Sequence, residues 1–219
     1  MTNTFKLAAA AAVAATALLA PAASSAHFIL QSPPSWLVEN KLGDPQKAGP
    51  CGGVPADPGT PTGIITPVLG GSLLHLKVQE TVYHPGHYRV ALAVLDRKEL
   101  PADPEATTRM TEKGPQSVAG KIDPAPKPPV LVDGLWEHHE RPGAMPYTWE
   151  TDVKLPNIEC DHCSLQVIQF MEEHGLNAAG DFSYHHCADL KITIDPKLKI
   201  DSGWPGQKTS KAAAKKKKS

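Results

Sequence analysis

The apolar residues of this chain recur mainly with a period of two, which is the spacing of a half-buried β-strand. Alternation of this kind, or a short apolar run, marks the segments 28–30, 64–68, 74–79, 88–94, 147–153, 165–168 and 190–194. Beyond the first 26 residues, no apolar repeat of helical period reaches the length of a helix. The pattern therefore predicts an all-β domain.

Turn-forming residues separate these segments. Tyr83-His84-Pro85-Gly86-His87 interrupts two alternating runs, which predicts a hairpin-like unit with His84 at the connection. The sequence contains 22 prolines and 17 glycines, which favours many turns and few helices. We predict an immunoglobulin-like or fibronectin-III-like β-sandwich. Two long loop insertions, residues 31–60 and 96–146, interrupt it, and the second has room for a short helix.

The first 26 residues have the features of a secretory signal peptide. Lys6 supplies the positive charge, residues 7–19 form an Ala/Leu-rich apolar run, and Ser24 and Ala26 are the small residues that signal peptidase requires. Cleavage after Ala26 makes His27 the first residue of a secreted or periplasmic protein. No later apolar stretch is long enough to cross a membrane, so we predict no membrane span.

The remaining 193 residues suffice for one domain with a core, which we place at 27–200. All four cysteines lie after the predicted cleavage site, which favours two disulfides. The sequence permits three pairings, of which we prefer Cys51–Cys187 with Cys160–Cys163. Two alternatives are a redox-active Cys160–Cys163 pair and a zinc site of Cys160, Cys163, Cys187 and a neighbouring histidine.

Charge divides the chain into an acidic body and a basic tail. Of the 22 basic residues, six follow residue 207 and one lies in the signal, so 15 oppose 23 acidic residues in the body. This distribution is unlike that of a nucleic-acid-binding protein. The Ser/Ala/Lys composition predicts a disordered tail over 201–219, which could contact an anionic cell envelope.

An amino-terminal histidine offers two nitrogen ligands in one chelate, its α-amine and its imidazole Nδ1. Such nitrogen ligands suit Cu(II). His84 lies where a turn can present a second imidazole, and His87, three positions later, is the competing ligand. His185 and His186 are adjacent in an extended segment, so only one of them could approach the same site.

The other histidines have weaker claims to a ligand role. We expect His138 and His139 to be solvated or structural, and His174 could be an outer-shell donor to the site.

The ordered set of motifs resembles the lytic polysaccharide monooxygenases and their bacterial monooxygenase-like relatives. The resemblance rests on His27, the His84-Pro-Gly-His-Tyr88 segment, the Cys163-Ser-Leu-Gln-Val-Ile-Gln169 segment, and Tyr184 five residues before Asp189 in a Cys-Ala-Asp sequence. It implies one copper ion per chain. The α-amine and Nδ1 of His27 and the imidazole of His84 would bind that ion, and Tyr184 would occupy the axial position.

The resemblance also implies an outer-shell glutamine, either Gln166 or Gln169. The two are three residues apart in a strand, so they should point to opposite faces of the sheet. We prefer Gln169, because Gln166 lies among apolar neighbours near the beginning of the strand.

The implied activity is oxidative cleavage of chitin, cellulose or another glycan with O2 or H2O2, by a monomer that takes electrons from an external donor. Aromatic residues, which commonly stack on sugars, are only 5% of the chain. Trp36 and Trp136 are in loops that could flank His27, whereas Trp149 could equally be a core residue. The alternative function is a non-catalytic copper-binding or copper-handling protein. Tyrosine rather than aspartate at residue 184 favours the enzyme.

Overall fold

The fold is described from a computed structural model, which covers residues 27–177 and 179–207. The predicted signal peptide and the lysine-rich segment 208–219 lie outside these residues. The strands are β1 His27–Ser32, β2 Ile65–Leu69, β3 Leu73–Val82, β4 Gly86–Ala93, β5 Ala106–Thr111, β6 Gly114–Gly120, β7 Val130–His138, β8 Tyr147–Lys154, β9 Cys160–Met171 and β10 Ser183–Thr193. Within the described part of the chain, no helix is long and apolar enough to cross a membrane.

The strands form two main sheets that enclose one core. One sheet has the order β1-β3-β8, and the other has the order β2-β10-β9-β4-β7. Leu76 and Val78 of β3 and Val90 and Leu92 of β4 are fully buried in the same apolar cluster, as alternation requires of core-facing residues. The predicted all-β class is confirmed, and the sheets have a sandwich-like arrangement. An immunoglobulin or fibronectin-III topology remains a prediction.

The predicted hairpin around His84 is wrong. β3 pairs with β1 and β8, whereas β4 pairs with β7 and β9, so the two strands belong to different sheets. Residues 83–85 therefore carry the chain from one sheet to the other. Two alternating runs joined by a short turn have the same sequence pattern whether they pair or pack face to face.

The segment 96–146 is more regular than the predicted loop insertion. It contains a one-turn 3₁₀ helix at Arg97–Glu99, the β5–β6 hairpin and the whole of β7. β7 escaped prediction because its apolar residues do not alternate regularly. Its register with β4 is interrupted, and Gly134 and Trp136 both have positive φ.

The folded body continues past the predicted boundary at residue 200. Trp204 is only 8% exposed and belongs to the main core cluster. The Asp201 carboxylate accepts a hydrogen bond from the Asn157 amide, and the Gln207 side chain accepts one from the Glu159 amide. These contacts attach residues 201–207 to the sandwich.

Both preferred disulfides are confirmed. Cys51 bonds to Cys187 and Cys160 bonds to Cys163, so no cysteine in the described residues is free. The zinc alternative requires thiolate ligands, and in this structure its three cysteines are all in disulfides. Cys160 and Cys163 begin β9 rather than the helix that follows a thioredoxin-type motif.

We expect the two disulfides to contribute very differently to stability. Cys51–Cys187 closes a segment with a sequence separation of 136, so its replacement by two alanines should cost about 5 kcal/mol of unfolding free energy by the loop-closure argument. Cys160–Cys163 has a separation of only 3, so the same change should cost far less. Urea unfolding of both variants under non-reducing conditions measures the difference. Equal losses would contradict the loop-closure argument.

Candidate metal centre

The candidate ligands lie where several strands begin or end at one edge of the sandwich. His27 begins β1 and pairs with Val82, the last residue of β3. His84 follows Val82 by two residues, so it lies close to the beginning of β1. On the other sheet, Tyr184 near the start of β10 pairs with Gln169 near the end of β9. The antiparallel pairing thus brings residues that are distant in sequence to the same edge.

Four buried rings form a continuous series at this edge. The ring centroids of His27 and Tyr184 are 5.4 Å apart, those of Tyr184 and His174 are 5.9 Å apart, and those of His174 and His84 are 5.0 Å apart. Each residue is 8% exposed or less. The structure therefore brings together His27, His84 and Tyr184, and it adds His174 between His84 and Tyr184.

Hydrogen-bond partners indicate which imidazole nitrogens carry hydrogen. His84 Nδ1 lies 3.0 Å from the carbonyl oxygen of Glu172, and a carbonyl can only accept, so Nδ1 is the donor. His27 Nε2 lies 3.3 Å from the Asp44 carboxylate, which likewise favours hydrogen on Nε2. The lone pairs then lie on His27 Nδ1 and His84 Nε2. The first is the nitrogen that an amino-terminal chelate requires.

The chain around His84 is held by close backbone packing. Gly86 has a φ of 147°, and a β-carbon at this position would collide with the Phe170 carbonyl oxygen. The Pro85 carbonyl accepts a hydrogen bond from the Glu172 amide at 2.8 Å. These contacts fix the crossing between the sheets, and with it the direction of the His84 side chain.

A fully buried carboxylate that sequence analysis did not select, Glu80, lies behind the site. Its oxygens accept hydrogen bonds from the His84 amide at 3.0 Å, from Gln169 Nε2 at 3.1 Å and from Trp149 Nε1 at 3.0 Å. The sequence carried a signal for it. Glu80 continues the phase of Leu74, Leu76 and Val78, which places a charged residue at a core-facing position.

His138 of β7 provides the opposite charge. Its Nδ1 donates to the Trp136 carbonyl at 2.6 Å, and its Nε2 lies 3.5 Å from Glu80 Oε2, the distance of an ion pair rather than of a short hydrogen bond. Burial opposes both charges, but their contact outweighs it. The pKa of His138 is raised, and contacts from His138, the His84 amide and Trp149 lower the pKa of Glu80.

The two candidate glutamines point to opposite faces of the five-stranded sheet. Gln169 faces the core and shares Glu80 Oε1 with the His84 amide. Gln166 faces the other way and donates to the Pro50 carbonyl at 2.9 Å, beside the Cys51–Cys187 disulfide. The structure thus brings Gln169, and not Gln166, to the residues around His84.

The competing histidines have other partners. His87 stacks on Phe170 near Asp133, and burial lowers the pKa of this imidazole. His185 Nε2 lies 2.8 Å from the Asp103 carboxylate, and His186 Nδ1 lies 2.9 Å from that of Glu39.

His185 and His186 are fully buried on opposite faces of β10. His139, in contrast, has a side chain that is 61% exposed.

The tryptophans do not form a flat platform at the site. Trp36 donates to the Cys51 carbonyl and lies beneath the Arg97 guanidinium, 3.7 Å from its ring centroid. Trp136 and Trp149 stack with centroids 6.2 Å apart and pack against the core. In residues 27–177 and 179–207 no aromatic side chain is classed as exposed.

Within the same ranges, no group of three or more His, Cys, Asp and Glu side chains is arranged to hold a metal ion. The ligand set predicted from the sequence consists of one main-chain amine and two imidazoles. It contains only two such side chains, so it does not form a group of three. The imidazoles of His27 and His84, with Nδ1 and Nε2 respectively as the ligand nitrogens, have the donor chemistry that copper prefers. In addition, Gln169 Oε1 is buried and has no hydrogen-bond partner among the described residues. These residues fit a mononuclear copper ion.

Comparison with known proteins adds no family assignment, since no protein-family model matches this sequence and no curated protein matches it significantly.

Proposed function

We propose that this protein is an exported mononuclear copper protein of the histidine-brace type. The α-amine of His27, freed by cleavage after Ala26, would bind the ion together with His27 Nδ1 and His84 Nε2. The observation that carries the proposal is the series of neighbouring rings His27, Tyr184, His174 and His84. The centroids of successive rings are less than 6 Å apart. The proximity of the Asp44 carboxylate to His27 Nε2 and the hydrogen bond of His84 Nδ1 to the Glu172 carbonyl favour the tautomers that this ligand set requires.

The activity that fits best is that of a lytic polysaccharide monooxygenase-like enzyme with a glycan substrate and an external electron donor. Copper would supply the redox chemistry with O2 or H2O2 that oxidises an unactivated C–H bond. Tyr184 would lie beside the bound ion, because its buried ring contacts that of His27. Gln169 would provide an outer-shell amide.

One observation favours a second function, copper binding or copper handling without catalysis. No exposed aromatic side chain is available among the described residues to stack on a sugar ring. A protein that only holds or passes on copper requires no such surface.

The two functions are separated by assays on the chain that begins at His27. One equivalent of tightly bound Cu(II) tests the site, and peroxide-driven oxidation of a panel of insoluble glycans tests the enzyme. Oxidised oligosaccharides that disappear in His84→Ala would support the monooxygenase. Tight copper binding without any product would favour copper handling, and failure to bind copper would exclude both.

We expect Asp44→Asn to weaken Cu(II) binding by about tenfold, the smaller end of the range for outer-shell partners, because Asp44 is partly exposed. An amide can present NH2 to His27 Nε2 and so no longer selects the tautomer. Calorimetric titration with Cu(II) measures the change. Asp57→Asn is the control, since Asp57 is an exposed carboxylate of the same loop region that accepts a hydrogen bond from the Gly59 amide. Equal affinities in all three proteins would contradict the role of Asp44.

A further inference from the structure

Glu80 connects the two sheets immediately behind the proposed copper site. It lies on β3, whereas Gln169 and His138 lie on β9 and β7 of the opposite sheet. The residue is 0% exposed, and its carboxylate touches the His84 backbone, the Gln169 amide and the Trp149 indole. A carboxylate in such a position is costly to bury without partners.

The donors around Glu80 determine how Gln169 is oriented. A backbone amide and an indole nitrogen can only donate, so Oε1 and Oε2 of Glu80 both act as acceptors. The Gln169 atom that faces Oε1 must then be the NH2 group. Its carbonyl oxygen Oε1 is left as a buried acceptor without a partner among the described residues.

The strand register places Gln169 beside a residue of the site. Gln169 pairs with Tyr184 across β10 and with Tyr88 across β4, and all three face the core. Directly opposed residues in antiparallel strands have neighbouring side chains. Tyr184 in turn contacts the His27 ring.

We propose that Glu80 is a positioning residue for this site: it holds the Gln169 amide so that its oxygen is presented as an acceptor, and it fixes the backbone of His84. The inference rests on the proposed copper function. It assigns the site a buried acceptor that would favour a small molecule carrying hydrogen, such as water or hydrogen peroxide.

Glu80→Gln tests the orientation with little change in volume. The substituted side chain has only one acceptor oxygen for the donors that two oxygens accept in the native protein. We expect the Gln169 amide to lose its fixed orientation, because one oxygen at residue 80 cannot accept from the His84 amide, Gln169 Nε2 and Trp149 Nε1 at the positions that two oxygens occupy in the native protein.

Nuclear magnetic resonance of the metal-free protein measures the orientation of the Gln169 amide independently of copper binding. In the native protein, hydrogen exchange of the Gln169 side-chain NH2 should be slower than that of the exposed Gln31. In Glu80→Gln we expect a shift of the Gln169 resonances and loss of this protection. Unchanged Gln169 resonances in the variant would overturn the proposal.

Measurements on the Cu(II)-loaded proteins provide a second test of the role of Glu80. We expect Glu80→Gln to alter the electron paramagnetic resonance spectrum and to weaken Cu(II) binding by about tenfold. A spectrum and affinity equal to those of the native protein would show that Glu80 is structural only, and would overturn the proposal. Native protein that binds no Cu(II) would overturn the proposed function, and the metal-free spectra would still report whether Glu80 orients Gln169.

Asp103→Asn is the matched control. It also converts a carboxylate beside a histidine into an amide. This histidine, His185, lies on the outer face of the five-stranded sheet that contains Gln169. Neither the Gln169 resonances nor the copper spectrum should change. If Glu80→Gln does not fold, Trp149→Phe removes one donor to Glu80 and retains an aromatic ring. We expect smaller changes of the same kind, and their absence would overturn the proposal.

Discussion

A chain that carries four extra glycines before His27 should bind Cu(II) at least about 100-fold more weakly than the chain that begins at His27. The loss should be larger than for an outer-shell change, because the extension removes a ligand itself. The α-amine of His27 becomes an amide, whose nitrogen binds Cu(II) only after it loses its proton, and the new terminal amine is too far along the chain to form a small chelate ring with His27. His27 Nδ1 and His84 Nε2 would remain, but the chelate would be broken.

Calorimetric titration of both chains with Cu(II) measures the loss directly. The control carries the same four glycines after Ser219, which alters length and composition equally and leaves the amine in place. The β1–β3 pairing of His27 should be retained in both proteins. Undiminished affinity in the amino-terminally extended chain would exclude the chelate, and with it both proposed copper functions.

The strands could be predicted from sequence where one face of the strand is buried and the other is exposed to solvent. The run 74–79 alternates cleanly, and it becomes β3, whose even-numbered residues face the core. Irregular strands gave no such signal. β7 has register shifts and two positive φ values, so its apolar residues do not keep one phase.

Sheet membership is a tertiary property that local pattern does not encode. The turn at 83–85 is short enough for a hairpin, yet β3 pairs with β1 and β8 in one sheet, and β4 pairs with β7 and β9 in the other. The same crossing gives the site its position, since it brings His84 next to the beginning of β1.

For the site, sequence reasoning selected residues with recognisable spacing and overlooked those defined only by packing. His27, His84, Tyr184 and Gln169 were selected, and the structure gathers them at one edge. Asp44, Glu80 and His138 act through contacts between distant segments. Of these, only Glu80 had a local signal, a charge in the buried phase of a strand.

His138→Leu should lower the unfolding free energy of the metal-free protein by about 3–5 kcal/mol, the usual cost of breaking a buried ion pair. The substitution removes the positive partner of Glu80 and leaves a fully buried carboxylate with uncharged donors only. It also removes the donor to the Trp136 carbonyl. Urea unfolding in the presence of a chelator measures the change.

The double variant Glu80→Met, His138→Leu separates charge from packing. Because it removes both charges together, we expect it to recover much of the stability that His138→Leu loses. A double variant that is less stable than His138→Leu would contradict this account. It would mean that Glu80 stabilises the fold through its other donors even without His138.

The cost of His138→Leu should depend on pH in a direction that the pKa shifts determine. The raised pKa of His138 means that its charge stabilises the fold fully below about pH 6.5, and that this contribution is lost as the pH rises through the raised value. The lowered pKa of Glu80 means that its contribution is present above about pH 4.5, and that it is lost as the pH falls through the lowered value. The difference in unfolding free energy between the native protein and His138→Leu should therefore be largest between these limits, and smaller on the alkaline side. A difference that does not vary with pH would mean that the contact between His138 and Glu80 does not shift the pKa of either group, and would contradict the ion pair.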